Sequence, residues 1–291
     1  MKIIEWPQFL EESLPFGGKE SAVTVGVFDG VHLGHQILIK RIVTRGGGAV
    51  PSTRPTAEVS RVPVVITFRQ GQYKKNRYSN PISHSGDILS FRQKMDIFEG
   101  MGVEVAIIVE FSESFRRQRG LDFFQILLDH GKMNYLTMGS DFRCGYQLDT
   151  DAPMIQKFTT ARGVPTEIVE PLLLRDRLIS SSNIRSDIAL GNLQEASEML
   201  GRPFTLDLGG AEISRSNNSI CFDLNGLGRI LPPPGRYQVL LVGKGAGKEG
   251  NGEESTGDIK KPAEIIIENG GTIICKDSGE ESLSWEYAEF L

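Results

Sequence analysis

Two hydrophobic rhythms alternate through the first two-thirds of the chain. Nearly continuous apolar runs, AVTVGVF (22–28), VPVVITF (62–68) and VEVAIIVEF (103–111), read as strands buried on both faces. Between them, HQILIKRIV (35–43) and ILSFRQKMDIFEGM (88–101) carry apolar residues at helical spacing. The alternation continues with LDFFQILLDHG (121–131), a helix closed by Gly131, then YLTMGSDF (135–142) as strand and loop, then TEIVEP (166–171), a strand stopped by Pro171. SNIRSDIALG (182–191) and LQEASEMLG (193–201) follow as helices, each ending in a glycine suited to the left-handed cap position. Strands alternating with helices in this way predict an α/β fold, a doubly wound Rossmann-like domain over residues 1–202.

Beyond Pro203 the segments shorten to FTLDL, SICFDL, YQVLLVG, AEIIIE and TIICKD, separated by Gly/Asn/Pro clusters. That pattern predicts a small antiparallel β-barrel or sandwich over residues 203–291. Two polar, glycine-rich tracts break the rhythm. One, at 44–61, interrupts the first helix-to-strand connection; the other, at 243–261, reads as a mobile loop between two strands. No internal repeat is evident.

Composition narrows the class without choosing a ligand. The 291 residues are 39% hydrophobic and 24% charged, as expected of a soluble globular protein. A net charge of -5 gives no electrostatic footprint for nucleic acid. Cys144, Cys221 and Cys275 lie far apart without metal-ligand spacing, which fits structural thiols in a reducing compartment. The opening MKIIEWPQFLEESLPF lacks the apolar core of a signal peptide, and no window approaches the ~20 apolar residues that span a bilayer. A cytoplasmic protein that does not engage a membrane is expected. Nothing in the sequence assigns an oligomeric state.

Candidate chemistry concentrates in VTVGVFDGVHLGH (23–35), where Gly26, Asp29, Gly30, His32, Gly34 and His35 fall within ten positions. The stretch lies at the C-terminal end of the first strand of the doubly wound pattern, where open α/β sheets bind ligands. Gly26 and Gly30 permit close backbone approach, and the helix that follows offers N–H groups to an anion. His32 and His35, three apart, can point from one helix face toward the same phosphate. In LISSSNIRSDIALG (178–191), Ser180, Ser181 and Ser182 precede a helix, so one is expected to be its N-cap. Three hydroxyls with Arg185 one turn in also suit a polyphosphate.

The pairing of GVFDGVHLGH with ISSSNIR about 150 residues further on resembles the nucleotidylyltransferase superfamily, whose members share an HxGH histidine pair and an ISSTxIR-like phosphate loop. More closely, it is similar to the prokaryotic FAD synthetase module of the bifunctional riboflavin kinase/FMN adenylyltransferases. KMDIFEGMGVE, the FF pair at 123–124, MGSDFRCG beside the family's GxDFxFG, and GNLQEASEMLGRPF extend the likeness over residues 20–204. The resemblance implies a nucleotidyltransferase that moves AMP from ATP to FMN, releasing FAD and pyrophosphate. It implies that His32 and His35 stabilise the α-phosphate and the departing pyrophosphate, and that Gly26, Phe28 and Asp29 line the ATP pocket, with Gly34 between the histidines. Ser181, Ser182 and Arg185 would then hold the β- and γ-phosphates, and Asp141 would lie against the nucleotide. Mg²⁺ enters with ATP, by inference from the substrate; no carboxylate cluster specifies a metal site.

Departures are as informative. The family's TFxPHP reads TFRQGQYKK (67–75) here, so a polar contact near the reacting phosphates is missing or replaced by Arg69 or Lys74. Cys144 stands where an aromatic residue is usual. The kinase module's GxPTAN-type motif has no counterpart between Phe204 and Leu291, although LPPPGRYQV (231–239) is similar to a segment before one of its strands. The C-terminal part therefore reads as a degenerate riboflavin-kinase-like barrel without riboflavin kinase activity. Competing readings are a non-catalytic flavin- or nucleotide-binding protein and a nucleotidylyltransferase acting on another phosphate acceptor.

Overall fold

The apolar runs become the strands that their pattern predicts. In the computed structural model, which describes residues 1–12, 18–46, 61–69, 86–216, 219–244, 247–248, 254–255, 258–276 and 284–291, the chain divides into two compact units. The first comprises Met1–Arg77 and Lys94–Ile179; the second comprises Tyr78–Gln93 and Ser180–Leu291.

The first unit contains, in order, β1 (Lys2–Glu5), α1 (Trp6–Glu12), β2 (Ser21–Val25), α2 (Leu33–Arg45), β3 (Val62–Phe68), most of α3 (Phe91–Gly100) and β4 (Val105–Val109). Then come α4 (Glu113–Arg116), α5 (Gly120–Asp129), β5 (Met133–Gly139), β6 (Arg143–Cys144), β7 (Thr150–Asp151), α6 (Ala152–Thr160), β8 (Thr166–Val169), β9 (Leu173–Leu174) and β10 (Arg177–Leu178). Six of these strands form one parallel sheet in the order β1-β4-β3-β2-β5-β8. Every residue of β2, β3 and β4 is buried, as continuous apolar runs require. Trp6, Phe9, Phe123, Phe124, Leu127 and Ile155 pack with Val23, Val25, Ile66 and Ile107 into one core cluster. Outside that cluster α2 lies along β2, β3 and β5 and buries Leu38, Ile39 and Ile42. Strand order reverses between β2 and β5, which puts the switch point of the sheet beside the loop that follows β2.

Several elements of the first unit were not legible in the pattern. β1 is too short to establish a period, α1 carries only Trp6 and Phe9 inward, and α6 has a mixed composition. The α6 start nevertheless carried a signal, because Asp151 accepts the Met154 N–H as an N-cap and a proline sits in the first turn.

The second unit begins its helices with α7 (Ser181–Leu190) and α8 (Leu193–Leu200), closed by Gly191 (φ 82°) and Gly201 (φ 70°) in the left-handed conformation expected of them. Its strands are β11 (Thr205–Asp207), β12 (Glu212–Ser216), β13 (Ser219–Asp223), β14 (Gly235–Lys244), β15 (Gly247–Lys248), β16 (Glu254–Ser255), β17 (Asp258–Ile267), β18 (Thr272–Lys276) and β19 (Ser284–Phe290). Seven of them make a curled antiparallel half-barrel in the order β11-β19-β14-β17-β18-β13-β12. Alternate residues face inward, among them Ile220 and Phe222, Val239 and Leu241, and Ile265 and Ile267. Residues 87–93 also belong to this unit. Asp87 pairs with Arg229, Gln93 donates to the Thr205 carbonyl, and buried Asp207 accepts from Arg92 at 2.8 Å.

The tract 243–261 is corrected by the structure in its described residues. β14 runs into it to Lys244, β17 starts at Asp258, and β15 pairs with β16 inside it. Backbone pairing needs no apolar side chains, so a ladder can continue where hydropathy reads loop. Likewise β12 is exposed throughout, and β19 loses its strict alternation beside a register shift at Val242/Gly243. Residues 47–60 of the other polar tract lie outside the described residues.

Phe124 is fully buried between the rings of Phe123 and Phe142. Phe124→Ala is expected to destabilise the protein by about 3–5 kcal/mol in urea titration. Leu173→Ala, on the exposed β9–β10 hairpin, should remain within about 0.5 kcal/mol of the parent.

Candidate active site

β2 ends at Val25, and α2 begins at Leu33. Between them the backbone passes through the left-handed region at Phe28 (φ 51°), Gly30 (φ 82°) and Val31 (φ 39°). Glycine adopts that region freely, whereas phenylalanine and β-branched valine do so at a cost of about 1–3 kcal/mol each. Burial offsets the strain. The Phe28 ring is sealed from solvent and stands edge-on to His35 at 5.2 Å and to Phe98 at 5.6 Å. A Cβ on Gly26 would come within 3.1 Å of that ring, so glycine at 26 is what lets the ring fold back. Asp29 is buried within the short turn Asp29–Val31.

His32 is the N-cap of α2, its Nδ1 accepting the His35 N–H at 3.4 Å. This bond places the proton of a neutral His32 on Nε2, as a donor. The two imidazoles stack face to face, 3.6 Å between centroids and 19° between planes. Gly34 makes room for the stack, since a Cβ there would sit 3.2 Å from His32 Cε1 and Nδ1. Burial, then His32, then Lys94 hold the His35 pKa well below its ordinary 6.5. His35 Nδ1 is buried without a hydrogen-bond partner. His35 is therefore held as neutral imidazole at the positive end of a helix, next to the switch point and stacked on His32, an arrangement suited to donating hydrogen bonds to an anion.

Across the switch point, β5 leads through Gly139 and Ser140 to Asp141, which is exposed. Cys144 is half-buried, and its thiol is pushed up to about 12 by burial and by Asp149, so it stays protonated. Arg69 is held by the carboxylates of Glu5 and Glu110, and Lys74 lies outside the described residues.

The serine-rich stretch belongs to the second unit. Ser180 is the N-cap of α7, accepting the Asn183 N–H at 3.2 Å, as one of the three serines was expected to be. Ser181 and Ser182 are the first two residues of α7, and Arg185, partly buried, follows one turn on. Thus Gly26, Phe28, Asp29, His32, Gly34 and His35 share one loop and helix start of the first unit, with Asp141 at the end of a neighbouring strand. No group of three or more His, Cys, Asp or Glu side chains that could hold a metal occurs among the described residues.

Lys94 escaped the sequence reading. Its signal was a lysine directly before Met95 on the buried side of α3, in line with Phe98 one turn on. Its ammonium is buried and donates to the Val27 carbonyl at 3.2 Å, Thr67 Oγ1 at 3.2 Å and the Phe68 carbonyl at 3.4 Å.

The depressed His35 pKa has a signed consequence. Above 6.5 the imidazole is neutral whether the chain is folded or unfolded; below it the unfolded chain takes up a proton that the folded site refuses. Stability is therefore expected to fall as pH drops from 6.5 toward the folded pKa. Melting curves taken between about pH 8 and about pH 5 should show this slope for the parent and a shallower one for His35→Gln.

The chain is similar to known proteins over most of its length. A model of the FAD synthetase family matches residues 17–183. The bifunctional riboflavin kinase/FMN adenylyltransferase of Buchnera aphidicola subsp. Acyrthosiphon pisum is 29% identical over 223 residues, 75% of this chain and 66% of that protein. Its namesake from Haemophilus influenzae is 28% identical over 186 residues, 64% of this chain and 56% of that one. The chain thus spans less than two thirds of the length of these two relatives. Among solved structures, a macrolide-efflux protein from Streptococcus pneumoniae superimposes with a TM-score of 0.75 at 19% identity, covering 100% of this chain and 90% of its own, a likeness of fold. With its family model matched from before β2 into the first turn of α7, the chain belongs to the FAD synthetase family.

Proposed function

We propose that this chain is an ATP:FMN adenylyltransferase, which joins the adenylyl group of ATP to FMN and releases pyrophosphate. The observation that carries the reading is the stacked His32–His35 pair, seated at a helix start beside the switch point of a parallel sheet with His35 held neutral. In the reaction an FMN phosphate oxygen attacks the α-phosphorus in line, a P–O bond forms to FMN, and the bond to the β-phosphate breaks. Negative charge then grows on the leaving pyrophosphate. His32 and His35 meet it with N–H donors, which contribute most when the charge has developed. Ser181 and Ser182 supply hydroxyls to the β- and γ-phosphates, and Arg185 supplies a planar fork that bonds two oxygens at once. Gly26, Phe28 and Asp29 shape the ATP side of the loop, and Asp141 adjoins the nucleotide.

Mg²⁺ is proposed as the ion that travels with ATP, where it would offset triphosphate charge. The chain's described residues build no metal cage, so its ligands would come from the nucleotide. Residues 1–202 are proposed as the transferase module and 203–291 as a riboflavin-kinase-like module without kinase activity, because the metal-binding GxPTAN-type motif of such kinases is missing from the sequence. Free cysteines fit a reducing compartment, which supports a cytoplasmic enzyme.

Incubation of the purified protein with ATP, Mg²⁺ and FMN or riboflavin, with chromatography of the flavins, tests both halves. FAD is expected from FMN, and no FMN from riboflavin. FMN formed from riboflavin would overturn the second half; ATP and FMN bound but never joined would leave a flavin- and nucleotide-binding protein instead. Arg185→Lys keeps the charge and loses the fork. It is expected to weaken ATP binding and lower turnover clearly, with little change in melting temperature. Normal ATP titration beside a much lower melting temperature would make Arg185 a structural residue.

A further inference from the structure

We propose that Lys94 is a positioning residue for the histidine loop, its ammonium tying together the C-terminal ends of β2 and β3 from beneath and so fixing the backbone that carries Phe28 to His35. The proposal rests on the adenylyltransferase reading for its catalytic consequence and on geometry for its origin.

The parallel ladder between β2 and β3 runs to Val25 and Ile66, and the Gly26 N–H still reaches the Ile66 carbonyl at 3.1 Å. At Val27 the chain turns out of the sheet toward the left-handed Phe28, and side chains take over the pairing. The Val27 carbonyl accepts from Thr67 Oγ1 at 3.1 Å and from Lys94 Nζ at 3.2 Å. The same ammonium also bonds Thr67 Oγ1 and the Phe68 carbonyl, so its contacts span both strand ends. One residue after Val27 comes the strained Phe28, whose ring supports His35. A shift of Val27 would therefore pass directly into the ring that backs the histidine.

A lysine placed here has a second effect that a neutral brace would lack. The titratable or charged groups acting on His35 are His32, stacked on it, and Lys94 from α3, while Asp29 lies buried in the preceding turn. Phe98, the α3 residue one turn beyond Lys94, faces the loop with an apolar ring. Burial contributes most to the depressed His35 pKa, and the positive charge of Lys94 adds to it. The ammonium thus helps keep the imidazole neutral, as an N–H donor with an acceptor nitrogen, in the state the proposed chemistry uses.

Two readouts test the proposal separately. The chain has four histidines, so their C2–H resonances can be assigned by substitution and followed against pH without any substrate. In Lys94→Met the His35 midpoint is expected to move up toward 6.5, while Lys94→Arg, which keeps the charge, should leave it low. In steady-state assays Lys94→Met should lower kcat by about ten- to a hundredfold with the KM for ATP little changed, the pattern of a displaced donor. Lys94→Arg should restore part of the loss. If Lys94→Met does not fold, Thr67→Val removes the two bonds of Thr67 Oγ1, to the Val27 carbonyl and from Lys94, and keeps the ammonium; it should lower kcat by a smaller factor with the KM for ATP held. A Lys94→Met protein, or failing that a Thr67→Val protein, with parental kcat would overturn the positioning role. So would a rise in KM alone, or a His35 midpoint unmoved in Lys94→Met. A parent that forms no FAD would sink the adenylyltransferase reading instead, and the histidine titration would still decide whether Lys94 acts on His35.

Discussion

Phe28 sits in a backbone region that a bulky side chain occupies only under constraint, and the rest of the histidine loop depends on its staying there. What holds it is burial. The ring is enclosed between Phe98 and His35, and Gly26 supplies the space that any other residue would fill. Because the turn is fixed in this way, α2 starts immediately afterwards with His32 as its cap and His35 stacked upon it. A loop that relaxed to ordinary dihedrals would move the helix start, and with it both rings.

The electrostatics follow from the same packing. A buried imidazole beside a second imidazole and an ammonium resists protonation. In the proposed reaction this separates two jobs. A neutral His35 would donate a hydrogen bond where charge develops, and the ground-state attraction would come from the helix start. Cys144 illustrates the converse, since burial leaves it an inert thiol.

In the second unit, stability and chemistry are distributed differently. Buried Asp207 gathers Arg92, Arg229 and the Gly209 N–H, so the segment entering α3 is fixed by ionic hydrogen bonds as well as by apolar packing. The seven-stranded sheet keeps its inward alternation of Ile220, Phe222, Ile265 and Ile267. A core of that kind needs only apolar periodicity.

The sequence by itself determined the parallel α/β core, the two glycine-closed helices, the antiparallel second sheet and the location of the histidine pair. Each is a local property: β2, β3 and β4 are continuous apolar runs, Gly191 and Gly201 are needed for positive φ, and HLGH stands at a strand-to-helix turn. Short or bare elements were not legible, because β1 is too brief to show a period and β12, β15 and β16 are held by backbone bonds that side-chain patterns do not report. Only the tertiary structure decided that His32 and His35 stack, that Phe28 lies behind them, and that Lys94 reaches Val27, Thr67 and Phe68. Spacing puts residues on a face of one element. Which neighbour closes over that face, and so whether a lysine ends in water or beneath a loop with its charge bearing on a histidine's proton, is fixed by distances between elements far apart in the chain.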